Sequence, residues 1–67
     1  MQAKLEGDTL TLRGVDDKEK FRLIDEAIRQ ADLLPAGIRV EKGEMRIKCH
    51  SGSEQRLQKV AAFLEGK

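Results

Sequence analysis

Apolar and polar residues alternate in two stretches of the chain, and each stretch folds back on itself around a glycine. In the first, Lys4-Leu5-Glu6 and Thr9-Leu10-Thr11-Leu12-Arg13 flank Gly7-Asp8. In the second, Ile38-Arg39-Val40-Glu41 and Glu44-Met45-Arg46-Ile47-Lys48-Cys49 flank Lys42-Gly43. A period of two marks half-buried strands, and a two-residue loop containing Gly suits the type I′ or II′ turns of short hairpins. Such a loop also sets the register. Leu5 then opposes Leu10, Ala3 opposes Leu12, Val40 opposes Met45 and Ile38 opposes Ile47. All the apolar residues of a hairpin gather on one face, which a one-residue slip would undo.

A period near 3.6 follows each hairpin. Phe21, Ile24, Ile28 and Ala31, with Ala27 between them, form an inward stripe behind Asp16-Asp17-Lys18-Glu19. That tetrad reads as an N-cap with an acid three positions on. The helix is expected to stop near Leu33 or Leu34, because Pro35 disfavours a helical residue before it and Gly37 follows. Ser51-Gly52-Ser53-Glu54 reads as a second capping box, Leu57, Val60, Ala61 and Leu64 as a second stripe, and Gly66 as its end. Leu23 and Phe63 lie off the stripes, where they either extend the edge of the core or seat a partner. Asp25–Arg29 and Arg22–Glu26 have the spacing of surface ion pairs.

The order is therefore ββαββα. It predicts an α+β two-layer sandwich, with both helices on one face of a four-stranded antiparallel sheet and the other face wet. One domain over 1–67 is expected, with half-repeats at about 3–34 and 36–66. At a constant offset of 35 residues Leu5, Leu10 and Leu12 fall on Val40, Met45 and Ile47, and with one more residue Phe21, Ile24 and Ile28 fall on Leu57, Val60 and Leu64. The match reads either as an internal duplication or as two units obeying the same ββα pattern. A core of this size supplies only ~3–5 kcal/mol.

Composition narrows the function. The 67 residues carry 13 basic and 12 acidic side chains, a formal charge of +1, so neither a polyanion-coating nor an acidic protein is indicated. No apolar run approaches the roughly 20 residues of a membrane span, and the first residues carry no signal-peptide pattern. The one cysteine cannot close an internal disulfide, which makes the cytoplasm the expected compartment. Cys49 and His50 are neighbours on a strand and so point to opposite faces, too far apart to hold one metal or to form a nucleophile–base pair. Cys49 is expected in the core and His50 in water. No Cys-x-x-Cys, His-x-x-x-His or Asp-x-Asp spacing occurs, so no metal, no cofactor and no enzymatic activity is expected.

The wet sheet face is the most informative surface. Its cations include Arg13, Arg39, Arg46 and Lys48, the candidate partner-binding residues, and the register makes Arg39 and Arg46 direct cross-strand neighbours. Like charges so placed are destabilising unless Glu41 and Glu44 compensate them or an anionic partner sits there. The second half of the chain is the more basic, but no aromatic side chain lies on this face, and single-strand binders stack bases on such residues. The run Gly7-Asp8-Thr9-Leu10-Thr11-Leu12-Arg13-Gly14, then Val15-Asp16-Asp17 and a helix ending near Gly37-Ile38-Arg39-Val40, resembles BON-type modules, small αβ interaction modules. The resemblance covers about half the chain, which departs from that family in its second ββα unit and in showing no export signal.

The expected function is thus a small non-enzymatic protein–protein interaction module or adaptor. The alternatives are a nucleic-acid-binding module using the basic open face and a structural domain cut from a longer chain. The partner expected on this reading is another protein, with no membrane, and the chain itself is a monomer or weak homodimer, since charges such as Lys4 and Lys48 at the sheet edges would blunt pairing.

Overall fold

The computed structural model of the protein describes residues 1–65. Strands β1 (Gln2–Glu6) and β2 (Thr9–Val15) make the first hairpin and α1 (Lys18–Gln30) follows. Strands β3 (Pro35–Glu41) and β4 (Gly43–Cys49) make the second hairpin, and α2 (Glu54–Glu65) completes the ββαββα order. The four strands form one antiparallel sheet in the order β1-β2-β4-β3. Each hairpin thus contributes one central and one edge strand. The helix end expected at Gly66 lies outside the described residues.

All four apolar pairs take the anticipated register: Leu5↔Leu10, Ala3↔Leu12, Val40↔Met45 and Ile38↔Ile47. The turns differ from each other. Gly7 has φ +58° while Asp8 keeps a negative φ, the sign pattern of a type II′ turn. In the second hairpin only Gly43 is positive, at +68°, which is the pattern of type II rather than of I′ or II′. Glycine at that second position is what the geometry requires.

The sheet meets the helices through Leu10, Leu12, Met45, Ile47 and Cys49, packed against Ile24, Ala27 and Ala31 of α1 and Leu57, Val60, Ala61 and Leu64 of α2. Val15 joins this core because Gly14 is an extra residue in the β2–β4 ladder; the bulge returns the following side chain to the helix side. Leu23 and Phe63, off the helical stripes, pack against the rim of the core. Helix α2 lies over β1 and β2 with α1 beside it, and neither packs closely against β3. As a result Ile38 and Val40 stand on the core face yet are 50 % and 54 % exposed, and Phe21, placed on the inward stripe by its spacing, is 39 % exposed.

The helix ends correct three expectations. The N-cap of α1 is Asp17, not Asp16: its carboxylate accepts from the Lys20 N–H at 2.9 Å, while Asp16 binds the Lys20 ammonium at 2.7 Å. That contact holds the Asp16 carboxyl below its ordinary value and raises Lys20. Helix α1 stops at Gln30, short of Leu33, because Asp32 turns left-handed at φ +54°. The Asp32 N–H then donates to the Arg29 carbonyl and the Leu33 N–H to the Ile28 carbonyl, both at 3.1 Å, a Schellman closure that buries Leu33. Helix α2 begins at Glu54, so that residue opens the first turn instead of standing three positions in, and its carboxylate accepts from the Gly52 N–H at 2.7 Å. Asp25 and Arg29 pair at 3.1 Å, whereas Arg22 and Glu26 do not come within ion-pair distance.

Candidate functional site

The face away from the helices is a grid of three rows set by the ladder. Across β1, β2, β4 and β3 the rows run Gln2-Arg13-Glu44-Glu41, then Lys4-Thr11-Arg46-Arg39, then Glu6-Thr9-Lys48-Gly37. The expected Arg39↔Arg46 neighbours are present. So is a second like-charge pair beside them, Glu41↔Glu44. Two like pairs in one hairpin are unfavourable, and what surrounds them decides how unfavourable.

Glu44 resolves half of the problem. It is the least exposed charged side chain of the grid, at 19 %, and it reaches Arg13 across the β2–β4 ladder and Arg46 along β4, each at 3.5 Å. Lys4 and Glu6 pair along β1 at 3.1 Å. No acid among the described residues comes within ion-pair distance of Arg39 or Lys48, and no base within that distance of Glu41. The four candidate residues therefore divide. Arg39, Arg46 and Lys48 adjoin one another around Gly37, while Arg13 lies a row and a strand away and shares Glu44 with Arg46.

Two open-sided depressions mark this face. The larger, about 940 Å³, lies over β1, β2 and the start of β4 and is lined by both signs of charge. The smaller, about 430 Å³, is bounded by Thr9, Gly37, Ile38, Arg39, Arg46 and Lys48. Gly37 leaves it open, since a side chain there would meet nothing within 4 Å. Its rim is cationic, which suits a carboxylate or phosphate group, while the Thr9 hydroxyl is already spent on the Asp8 carboxylate at 3.1 Å.

The strand order relocates one candidate. Lys48 lies on β4, a central strand, so it does not guard an edge. The β1 edge carries the Lys4–Glu6 pair, and α2 packs over the helix side of that strand, where Leu5 is still 36 % exposed. The β3 edge is free. Cys49 donates its backbone N–H to Asp8 at 2.9 Å, so the odd residues of β4 bond toward β2 and the even ones toward β3. Arg39 and Glu41 thus spend their backbone groups on β4, and Ile38 and Val40 aim theirs outward from the sheet. These two residues are the part of the surface that alternation alone assigns to the core. The only hint in the chain is Pro35, which is tolerated at the start of an edge strand.

Cys49 is buried, and burial pushes its thiol up, with Glu54 and Asp8 adding to the effect. His50, the residue after β4, is exposed. Among the described residues no three His, Cys, Asp or Glu side chains are grouped to hold a metal ion, and no helix is long and apolar enough to cross a membrane.

The class defined by this geometry is a small α+β two-layer domain with a charged open sheet face and one free, partly apolar edge. No family model, no curated protein and no solved structure matches the chain. The likeness of residues 7–40 to BON-type modules therefore carries no family assignment.

Proposed function

We propose that this protein is a small non-enzymatic interaction module that binds another protein by accepting an extended segment on the β3 edge. One observation carries the reading: Ile38 and Val40 are half exposed on a strand whose outer N–H and C=O groups have no neighbour in the sheet. An added strand would satisfy those groups and cover both side chains, the usual physics of strand addition. Beside Arg39, such a segment would best place an acid on the open face. The cytoplasm suits a protein whose one cysteine is unpaired.

Peptides selected from a random library against the folded protein test this. Selected sequences should alternate apolar and acidic residues, shift the amide resonances of Ile38 and Val40, and fail to bind Val40→Lys. Peptides that perturb only other surfaces would sink the proposal.

A second reading rests on Arg39, Arg46 and Lys48, two of which have no acidic partner, around the Gly37 recess. Such a rim could grip the phosphates of a single-stranded nucleic acid. Three such contacts would give a log–log salt slope of about −2, at ~0.7 per phosphate. Absence of a mobility shift with RNA or DNA oligonucleotides at low salt would remove this reading.

A further inference from the structure

We propose that the segment taken up by β3 is β3 of a second copy, in an antiparallel pair centred on Val40. This rests on the reading of β3 as the interaction edge and names its partner. Three observations select it.

The first is the backbone. Val40 and Ile38 aim their N–H and C=O groups outward, so a two-fold axis through Val40 makes Val40 and Val40 of the second copy a hydrogen-bonded pair and sets Ile38 opposite Lys42, the turn residue just past the end of β3. Such an axis is perpendicular to the sheet. Both copies then keep their helices on the same side, and the half-exposed Ile38 and Val40 side chains of each meet there.

The second is charge. In that register Arg39 of each copy lies directly opposite Glu41 of the other, in the close non-hydrogen-bonded spacing of about 4.5 Å between Cα atoms. Within the chain these two residues face their own kind, Arg46 and Glu44, and neither has an ion-pair partner. The second copy supplies an opposite charge to both, twice over. An axis through Arg39 would instead set arginine against arginine. An axis through Ile38 would set Arg39 against Gly37 and force the pairing through the irregular Pro35–Gly37 start of the strand.

The third is closure. After one such pairing no β3 edge is left and the outer edges are both β1, which carries the Lys4–Glu6 pair, so growth through this contact stops at two copies.

Sedimentation of the intact chain and of three variants tests this. Wild type should rise with concentration from 7.5 kDa toward twice that mass. Arg39→Glu and Glu41→Arg should each remain at the monomer mass, because each alone sets like charges opposite across the axis. Both relieve a like-charge pair within the hairpin, so folding is not threatened. Mixed in equal amounts, the two variants should associate again, since the mixed pair restores opposite charges at both positions, at least tenfold more tightly than either alone. Val40→Lys should abolish association in every combination. A wild type that stays monomeric at millimolar concentration, or a dimer indifferent to the charge variants, would overturn the proposal. If that monomer still takes up selected peptides on β3, only the second copy is excluded and the interaction reading stands.

Discussion

Replacing Asp32 by glycine should make the protein more stable. Asp32 is the only non-glycine residue among those described with a positive φ, and it sits where α1 closes. A left-handed backbone costs an L-residue ~1–2 kcal/mol, toward the low end for Asp, whose short polar side chain tolerates it. The carboxylate also lies just past the negative end of the helix, which disfavours an anion by ~0.3–1 kcal/mol. Glycine relieves both but is freer in the unfolded chain, which returns ~0.4–1 kcal/mol. The net gain is about 1 kcal/mol. In a domain of this size that raises Tm by roughly 4–8 °C. The 3.1 Å bond from Arg56 survives, because it goes to the Asp32 backbone carbonyl. Asp32→Asn separates the two contributions: it keeps the tolerated backbone, removes the charge and should gain only ~0.3–1 kcal/mol, shrinking in high salt. Thermal unfolding followed by circular dichroism at low and high salt measures all three proteins. A glycine variant no more stable than wild type would refute this account of the helix end.

Two further outcomes follow from the open face and the core. In dilute solution Arg39→Thr should stabilise by ~0.2–1 kcal/mol by removing one member of the Arg39–Arg46 pair, whereas Arg46→Thr also forfeits its ion pair with Glu44 and should be close to neutral. Urea unfolding decides, and the reverse ranking would mean that the 3.5 Å contact to Glu44 does not operate in solution. The Cys49 thiol, raised by burial, stays protonated in the folded protein at a pH where the unfolded chain has released its proton. Its contribution is therefore complete below the unfolded value of about 8.5 and is lost as pH rises beyond it. Wild type should lose stability more steeply than Cys49→Ala between pH 8.5 and 10, and equal slopes would contradict a buried thiol.

Much of the fold is legible along the chain because a two-residue loop leaves one register that collects the apolar residues. That logic places Leu10, Leu12, Met45, Ile47 and Cys49 correctly, and it finds the Arg39–Arg46 neighbours. It stops at the hairpin. Nothing in the alternation says which strand of one hairpin meets which strand of the other, so the contact of Glu44 with Arg13 and the central place of Lys48 are invisible to it. Exposure of Ile38 and Val40 is lost for the same reason: alternation assigns a side chain to a face, while coverage of that face depends on where the helices lie. The helix ends failed by a different route. Pro35 was a sufficient reason for α1 to stop, but Asp32 ended it earlier by a backbone conformation that asparagine or glycine would have advertised better. Val15 reached the core only through the bulge at Gly14, which breaks the period that alternation relies on.

The charged face and the apolar edge share one origin in the β3–β4 hairpin. A strand overlaid by a helix offers a neighbour less apolar surface, and a like-charge pair with a nearby opposite charge needs no ligand. β1 meets the first condition through α2, and Arg46 meets the second through Glu44. β3 meets neither, since its apolar side chains are half bare and its two charged residues face their own kind without an ion pair. Both defects occur on the same four residues, Ile38 to Glu41, alternating from face to face. A single added strand carrying the same alternation corrects them together, covering Ile38 and Val40 on one side while setting opposite charges against Arg39 and Glu41 on the other. The strand that carries this pattern in the required order is β3 itself, which is why the self-pairing is tested by exchanging its charges rather than by shaving its apolar residues.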